Sequence, residues 1–450
     1  MLASRLGGTC NRNVVSLFLA FLLFYALLAA YLSTKCYRDP SSIFFRAEHA
    51  RVLSYSSFRR SQARKFGDQQ AILHAPIKWV NSTGTSTTTG HGPDFCIGVG
   101  SVDRHGFSYL KETLGSILEG LSDAERRRIY VVVFLAHTNQ TQHEDYNQPW
   151  LVNMADALPA YPSNRETAAL IRQLEADSSY ESHARKQKID YSVLLSACAR
   201  VRPRYTMTLE DDVIALDGWY HRALAALQTA ERKTAELGRE RDGFLYLRVF
   251  YDGRLLGWNS EEWPLYVEAS VGVELALLAL LLALRWRFPS TRSSLLTRST
   301  IILACGVCAP MAIGLFFAAG RSCVLPRREG VHLMHKYACC AQGLVFPQEQ
   351  VVNHLLPMYR DTDDSYAAVD TFLEDWADEH DMLRWAVTPV LIQHVGGKSS
   401  HGAGDQKTGR LTDDMPFDYS FETNDPVSLA EEHWRWLADM TDDADVKLGG

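Results

Sequence analysis

The sequence has no surplus of positive charge: 46 Lys and Arg stand against 53 Asp and Glu, for a formal net charge of −7. Without a basic field it offers nothing to a nucleic-acid backbone, and nucleic acid is excluded as an expected partner. Its nine cysteines show no zinc-finger spacing with histidine, and the one CxxC pair, Cys305 to Cys308, lies inside an apolar run. No internal repeat is visible, which argues against a transporter built from duplicated halves. Disorder is also excluded, because 46% of the residues are hydrophobic and only 22% charged.

What the sequence does have is long apolar runs. Val14 to Leu32 is uninterrupted and flanked by Arg5, Arg12, Lys35 and Arg38. It has the length of a bilayer-crossing helix and no clear small-x-small cleavage site, so it is expected to be an uncleaved signal anchor. Leu265 to Leu284 and Ser299 to Ala319 are two further runs of that length. The 285–298 segment between them carries Arg285, Arg287, Arg292 and Arg298 and no acid. By the positive-inside rule this loop is cytosolic, which puts the outer ends of both spans, and the residues after the first anchor, in the lumen. Glu268 is expected at the headgroups and Glu274 against the neighbouring helix. With Cys10 cytosolic and Cys305 and Cys308 within a span, Cys36, Cys96, Cys198, Cys323, Cys339 and Cys340 are left for disulfides of unspecified connectivity. Asn81 and Asn139 head glycosylation sequons.

Between and beyond the spans the pattern is that of a folded α/β protein. Strands are expected at Phe95–Ser101, Ile129–Ala136, Tyr205–Asp212 and Gly243–Tyr251, and a β-rich apolar run at Trp385–Ile392. Helices are expected at Ser108–Leu121, Arg165–Leu174, Ser182–Ala199, Trp219–Leu237, Gln348–Tyr359 and Thr371–Glu379. Strand, helix, strand at the first of these spacings is a βαβ unit with parallel pairing. Ser41 to Phe66 reads as an amphipathic segment near the membrane, and the polar run from Asn81 to Pro93 as a stem or a loop. The resulting division is a cytosolic tail (1–13), an anchor (14–32), a lumenal stem (33–93), a first part of the folded domain (94–264), a tandem hairpin (265–319) and a second part with the C-terminal tail (320–450).

The chemical signal is Glu210-Asp211-Asp212, three acids at the carboxyl end of a strand-like run, where open α/β sheets bind ligands. Adjacent carboxylates repel one another, and a hard divalent cation shared with substrate phosphates relieves that repulsion. Asp363-Asp364, Asp413-Asp414 and Asp442-Asp443 lack a strand before them and read as solvated turns.

The stretch Lys186 to Leu195 with Asp190-Tyr191, then Tyr205 to Asp212, then Gln393-His394-Val395-Gly396 with Ser399-Ser400 resembles the Golgi GT-A glycosyltransferases related to N-acetylglucosaminyltransferase IV. The interruption of the domain by two spans resembles one family in particular, the post-GPI-attachment N-acetylgalactosaminyltransferases. That resemblance implies a GT-A-like mixed sheet flanked by helices, split by the membrane hairpin and preceded by the signal anchor. It also implies a Golgi membrane enzyme with a lumenal catalytic domain, a UDP-sugar donor, Mn²⁺ or Mg²⁺, and a GPI-anchored protein whose glycan mannose is the acceptor. Carried over by position, Asp212 and His394 are expected at the metal, and Glu210, Asp211, Lys186 and Asp190 at the nucleotide. An inverting transfer needs a carboxylate to take the acceptor proton, and Asp370, Glu374 and Asp375 are the candidates. A Golgi N-glycan transferase, or a non-catalytic membrane protein binding a lipid anchor, is the competing expectation.

Overall fold

The computed structural model describes residues 12–79, 92–104, 106–289, 296–336, 340–361, 367–397 and 415–448. Asn81, Cys339, Asp363-Asp364, Ser399-Ser400 and Asp413-Asp414 lie outside them. The chain forms two compact units, residues 1–51 with 253–327 and residues 52–252 with 328–450.

The first unit holds three helices long and apolar enough to cross a membrane. They are α1 (Arg12–Lys35), α6 (Trp263–Arg287) and a third span. That third span runs as Arg298–Leu303, a π-helical turn at Ala304–Cys308, and Ala309–Ala318. A disulfide joins Cys36, the residue after α1, to Cys323, just past the third span. Asp39 supports this corner by accepting from the backbone N–H of Cys323 at 2.9 Å and of Ser41 at 2.8 Å. Cys305 and Cys308 are free thiols. Glu268 is exposed, whereas Glu274 lies near enough to Cys305 of the next span for its charge to act there and has a buried Oε1 without a partner among the described residues.

The second unit is a mixed α/β domain on a seven-stranded sheet in the order β2-β1-β3-β7-β5-β8-β6. The strands are β1 (Phe95–Ser101), β2 (Ile129–Leu135), β3 (Tyr205–Glu210), β5 (Tyr246–Arg248), β6 (Gly330–Leu333), β7 (Gly343–Pro347) and β8 (Arg384–Thr388). β1 pairs in parallel with β2 and β3, while β7 runs antiparallel between β3 and β5. The near-continuous apolar composition of β1 and β2 follows from burial on both faces. The helix α4 (Tyr180–Ala199) covers β1 so closely that a Cβ at Gly98 would stand 2.8 Å from the Leu194 side chain, and the Cys96–Cys198 disulfide ties the two together.

Several expectations change. The strand from Tyr205 stops at Glu210, because the chain turns at Asp211-Asp212 and then starts a separate strand, β4 (Val213–Ala215), paired with β9 (Ile392–His394). The long strand from Gly243 shrinks to β5. The segment expected beside the membrane contains α2 (Tyr55–Ala71), which belongs to the second unit. Its buried Arg59 donates to the carbonyls of Ala215, Ser116 and Glu119, backbone partners that no stem could supply. Asp442-Asp443 sits in a helix, α8 (Pro426–Leu448), and not in a turn.

Candidate active site

The acidic turn lies where β3 ends, and its shape is fixed from two sides. The Thr113 hydroxyl of α3 (Leu110–Leu118) donates to the carbonyl of Asp211 at 2.6 Å and lies 2.9 Å from that of Val213. From the other side, β9 pairs His394 with Val213, and the N–H of Val395 donates to the Asp212 carbonyl at 2.9 Å. This small two-stranded sheet brings together residues that are far apart in sequence. Gly396 completes the close approach, since a Cβ there would fall 2.1 Å from Asp212 Oδ2.

Ligand atoms of Glu210, Asp212 and His394 all lie within 4.8 Å of one another. His394 Nε2 is 3.4 Å from Asp212 Oδ2, and both side chains are buried. Burial raises Glu210 to about 8, and the negative charge of Asp212 adds to the shift. Burial also opposes ionisation of Asp212, but His394 and then Arg104 outweigh it and hold Asp212 at about 2. For His394 the balance is the same in reverse: burial disfavours the charge, while Asp212 and Glu210 raise the pKa above the ordinary histidine value. The set offers two carboxylates and one imidazole, and Asp212 Oδ1 is buried with no hydrogen-bond partner among the described residues. An orphaned carboxylate oxygen in a cluster of donors to metals fits a divalent cation.

Asp211 differs from its neighbours. Arg104 clamps it with two bonds of 2.7 Å and reaches Asp212 Oδ2 at 3.3 Å. Ser101, which lies 3.0 Å from His143 Nε2, also donates to Asp211. Both oxygens of Asp211 therefore face protein donors, and the residue stiffens the turn. Arg104 and Ser101 were not anticipated. Ser101 ends β1 and Arg104 follows three residues later, so the rule that singled out the end of β3 applies to them too.

Lys186 and Asp190 pair at 3.0 Å on one face of α4, with Lys186 also donating to the Ala136 carbonyl at 2.7 Å and Tyr161 donating to Asp190. Burial lifts Asp190 to about 6. Their polar groups serve one another at the end of β2. The three candidate bases on α7 (Val369–Glu379) also part company. Glu374 is buried and takes Arg248 at 2.8 Å, Arg384 at 2.7 Å and the Tyr246 hydroxyl. Asp375 is exposed. Asp370 is half-buried and near enough to Glu210 for its charge to act there.

Two kinds of likeness bear on this site. Over 134 residues the chain is 33% identical to an alpha-1,3-mannosyl-glycoprotein 4-beta-N-acetylglucosaminyltransferase C of Sus scrofa, covering 26% of each chain. Over 146 residues it is 28% identical to the corresponding transferase B of Danio rerio, covering 29% of this chain and 25% of that one. The chain thus spans about a quarter of the length of these relatives. A family model described as GPI-N-acetylgalactosamine transferase PGAP4 matches residues 95–393, beginning with β1, passing through the membrane hairpin and stopping one residue short of His394. That match covers well over half of the sequence on both sides of the insertion, and the chain belongs to the PGAP4 family.

Proposed function

We propose that this chain is a Golgi membrane glycosyltransferase with a GT-A-like lumenal domain that moves an N-acetylhexosamine, N-acetylgalactosamine by the family's description, from a UDP-sugar to a mannose of the GPI core. The observation that carries the reading is the clustering of Glu210, Asp212 and His394, with an unpartnered Asp212 oxygen, at the end of β3. These three residues would hold the cation, and the imidazole favours Mn²⁺ over the more strictly oxygen-seeking Mg²⁺. When bound, such a cation neutralises charge on the departing diphosphate. Arg104 keeps Asp211, and with it the turn, in one conformation, so the ligands are organised before the donor arrives. Asp370 is assigned as the base that takes the acceptor hydroxyl proton in an inverting displacement. Each of its oxygens accepts one backbone N–H, from Thr371 at 2.8 Å and Cys340 at 3.1 Å, and retains a second lone pair. Glu374 is unsuited to that role because two guanidinium groups and a phenol occupy it.

The lumenal orientation is supported by chemistry as well as by the arginine loop. Cys36 and Cys323 follow the first and third spans, and a bond between them requires both in one oxidising compartment. Asn139 is exposed and suits an acceptor of lumenal glycosylation.

Calorimetry of UDP binding with and without Mn²⁺ tests the site: metal-dependent binding is expected, and its absence would remove the assignment. Mass spectrometry of released glycans from deleted and wild-type cells tests the acceptor. Loss of an N-acetylhexosamine from GPI glycans is expected. A change confined to N-glycans would support the second reading, which the likeness to the mannosyl-glycoprotein transferases favours.

A further inference from the structure

Arg248 is 1% exposed, a costly position for a guanidinium unless its charge and its donors are matched. Glu374 matches the charge, with one oxygen facing Arg248 at 2.8 Å and the other facing Arg384 at 2.7 Å. Arg384 in turn pairs with Asp378. Charge balance is complete without any further partner, yet the other arm of Arg248 donates to the backbone carbonyl of Cys340. Cys340 is buried, disulfide-bonded, and holds a left-handed backbone, φ +81°, which a residue with a Cβ adopts only where its surroundings impose it. Its own N–H points the other way and donates to Asp370 Oδ2 at 3.1 Å.

We infer that Arg248, anchored by Glu374, positions Asp370 for proton transfer through the backbone of Cys340. The peptide groups on either side of one residue act as a bracket: the carbonyl is fixed to a rigid buried ion pair, and the N–H is thereby aimed at the carboxylate. The bracket lies just ahead of β7, whose pairing with β3 sets it in register with the strand that carries Glu210. Glu374 is then a support for Asp370 and no rival to it, which accounts for two acids four residues apart on α7 having such different surroundings. This inference rests on the reading of Asp370 as the base.

The test uses the full-length protein in detergent, with UDP-N-acetylgalactosamine as donor and a soluble mannoside as acceptor, and measures the transfer kcat, the donor KM and calorimetric UDP binding with Mn²⁺. Arg248→Lys keeps the charge and loses the forked geometry. The transfer kcat should fall about ten-fold or more, while donor KM and UDP binding stay within about two-fold. Damage to the fold at large would weaken UDP binding along with transfer, and that result, or unchanged transfer, overturns the bracket. If Arg248→Lys does not fold, Tyr246→Phe decides: it removes one hydroxyl from Glu374 and should lower the transfer kcat about three-fold with UDP binding unchanged. An unchanged kcat overturns the proposal. Asp370→Asn separates the two readings: if that variant still transfers sugar, the assignment of the base falls. If it is inactive while Arg248→Lys is fully active, only the bracket falls.

Discussion

Two groups of acids, one at the end of β3 and one on α7, look alike as sequence and differ in structure. Each has three carboxylates within a few residues. At the end of β3, Asp211 is enclosed by Arg104 and Ser101, whereas Asp212 keeps a buried oxygen with no partner among the described residues. On α7, Glu374 is enclosed by Arg248 and Arg384, Asp375 faces solvent, and Asp370 has lone pairs to spare. The difference teaches that a carboxylate's role follows from which of its acceptor sites the protein has already filled. On the reading proposed above, the enclosed acid in each group supports the open one.

The comparison breaks first at Asp212. Asp212→Asn should reduce Mn²⁺-dependent UDP binding by about a hundred-fold or more, since one hard ligand and its charge are lost together. Comparable binding in calorimetry would place the metal elsewhere. Arg104→Met should act on folding, because it leaves Asp211 buried without its counter-charge. A loss of about 3 kcal/mol or more in denaturant unfolding is expected. Gly396→Ala forces the Asp212 carboxylate to move, and a loss of about ten-fold in Mn²⁺ affinity is expected with the unfolding midpoint nearly unchanged.

A third set of acids sharpens the contrast by depending on a partner that titrates. His433 of α8 lies between Asp217 at 3.3 Å and Glu125 at 3.1 Å, and bonds to these two carboxylates raise it to about 9. Its folded-state pKa exceeds the unfolded value near 6.5. The stabilisation is therefore complete below that value and is lost as pH rises through about 9. Thermal unfolding across this window should show the loss, and His433→Gln should flatten it. The smallest effect belongs to Asp375→Asn, which should leave transfer within about two-fold, as exposed acids away from special features usually do.

The legible part of this molecule was the part governed by long periodicity. The three spans, β1, β2, β3 and the helices over 180–199 and 219–236 stand out because each repeats an apolar pattern over many residues. That Glu210 and Asp212 close a strand was readable from the apolar run before them, and His394 drew notice through resemblance. β4 and β9 were not readable. Three residues carry no period, and their existence depends on a partner nearly two hundred positions away. The purpose of Gly396 was hidden for the same reason, because the carboxylate it must clear becomes its neighbour only in the fold. Arg104 looked like any loop arginine. The enclosure of Glu374 depended on two strand arginines whose inward direction no local pattern discloses.

The place of β7 in the sheet has a consequence for how the protein is made. β7 lies between β3 and β5, yet its residues leave the ribosome only after the whole hairpin. Until then the strands already synthesised have a gap at their centre and an unpaired edge on each side of it, a state prone to aggregation and quality control. Closure of the catalytic sheet must therefore wait for two membrane helices to be synthesised. Substitutions that make the hairpin less apolar would accordingly be seen first as scarcity of the protein in cells, and only second, if at all, as slow turnover by the molecules that survive.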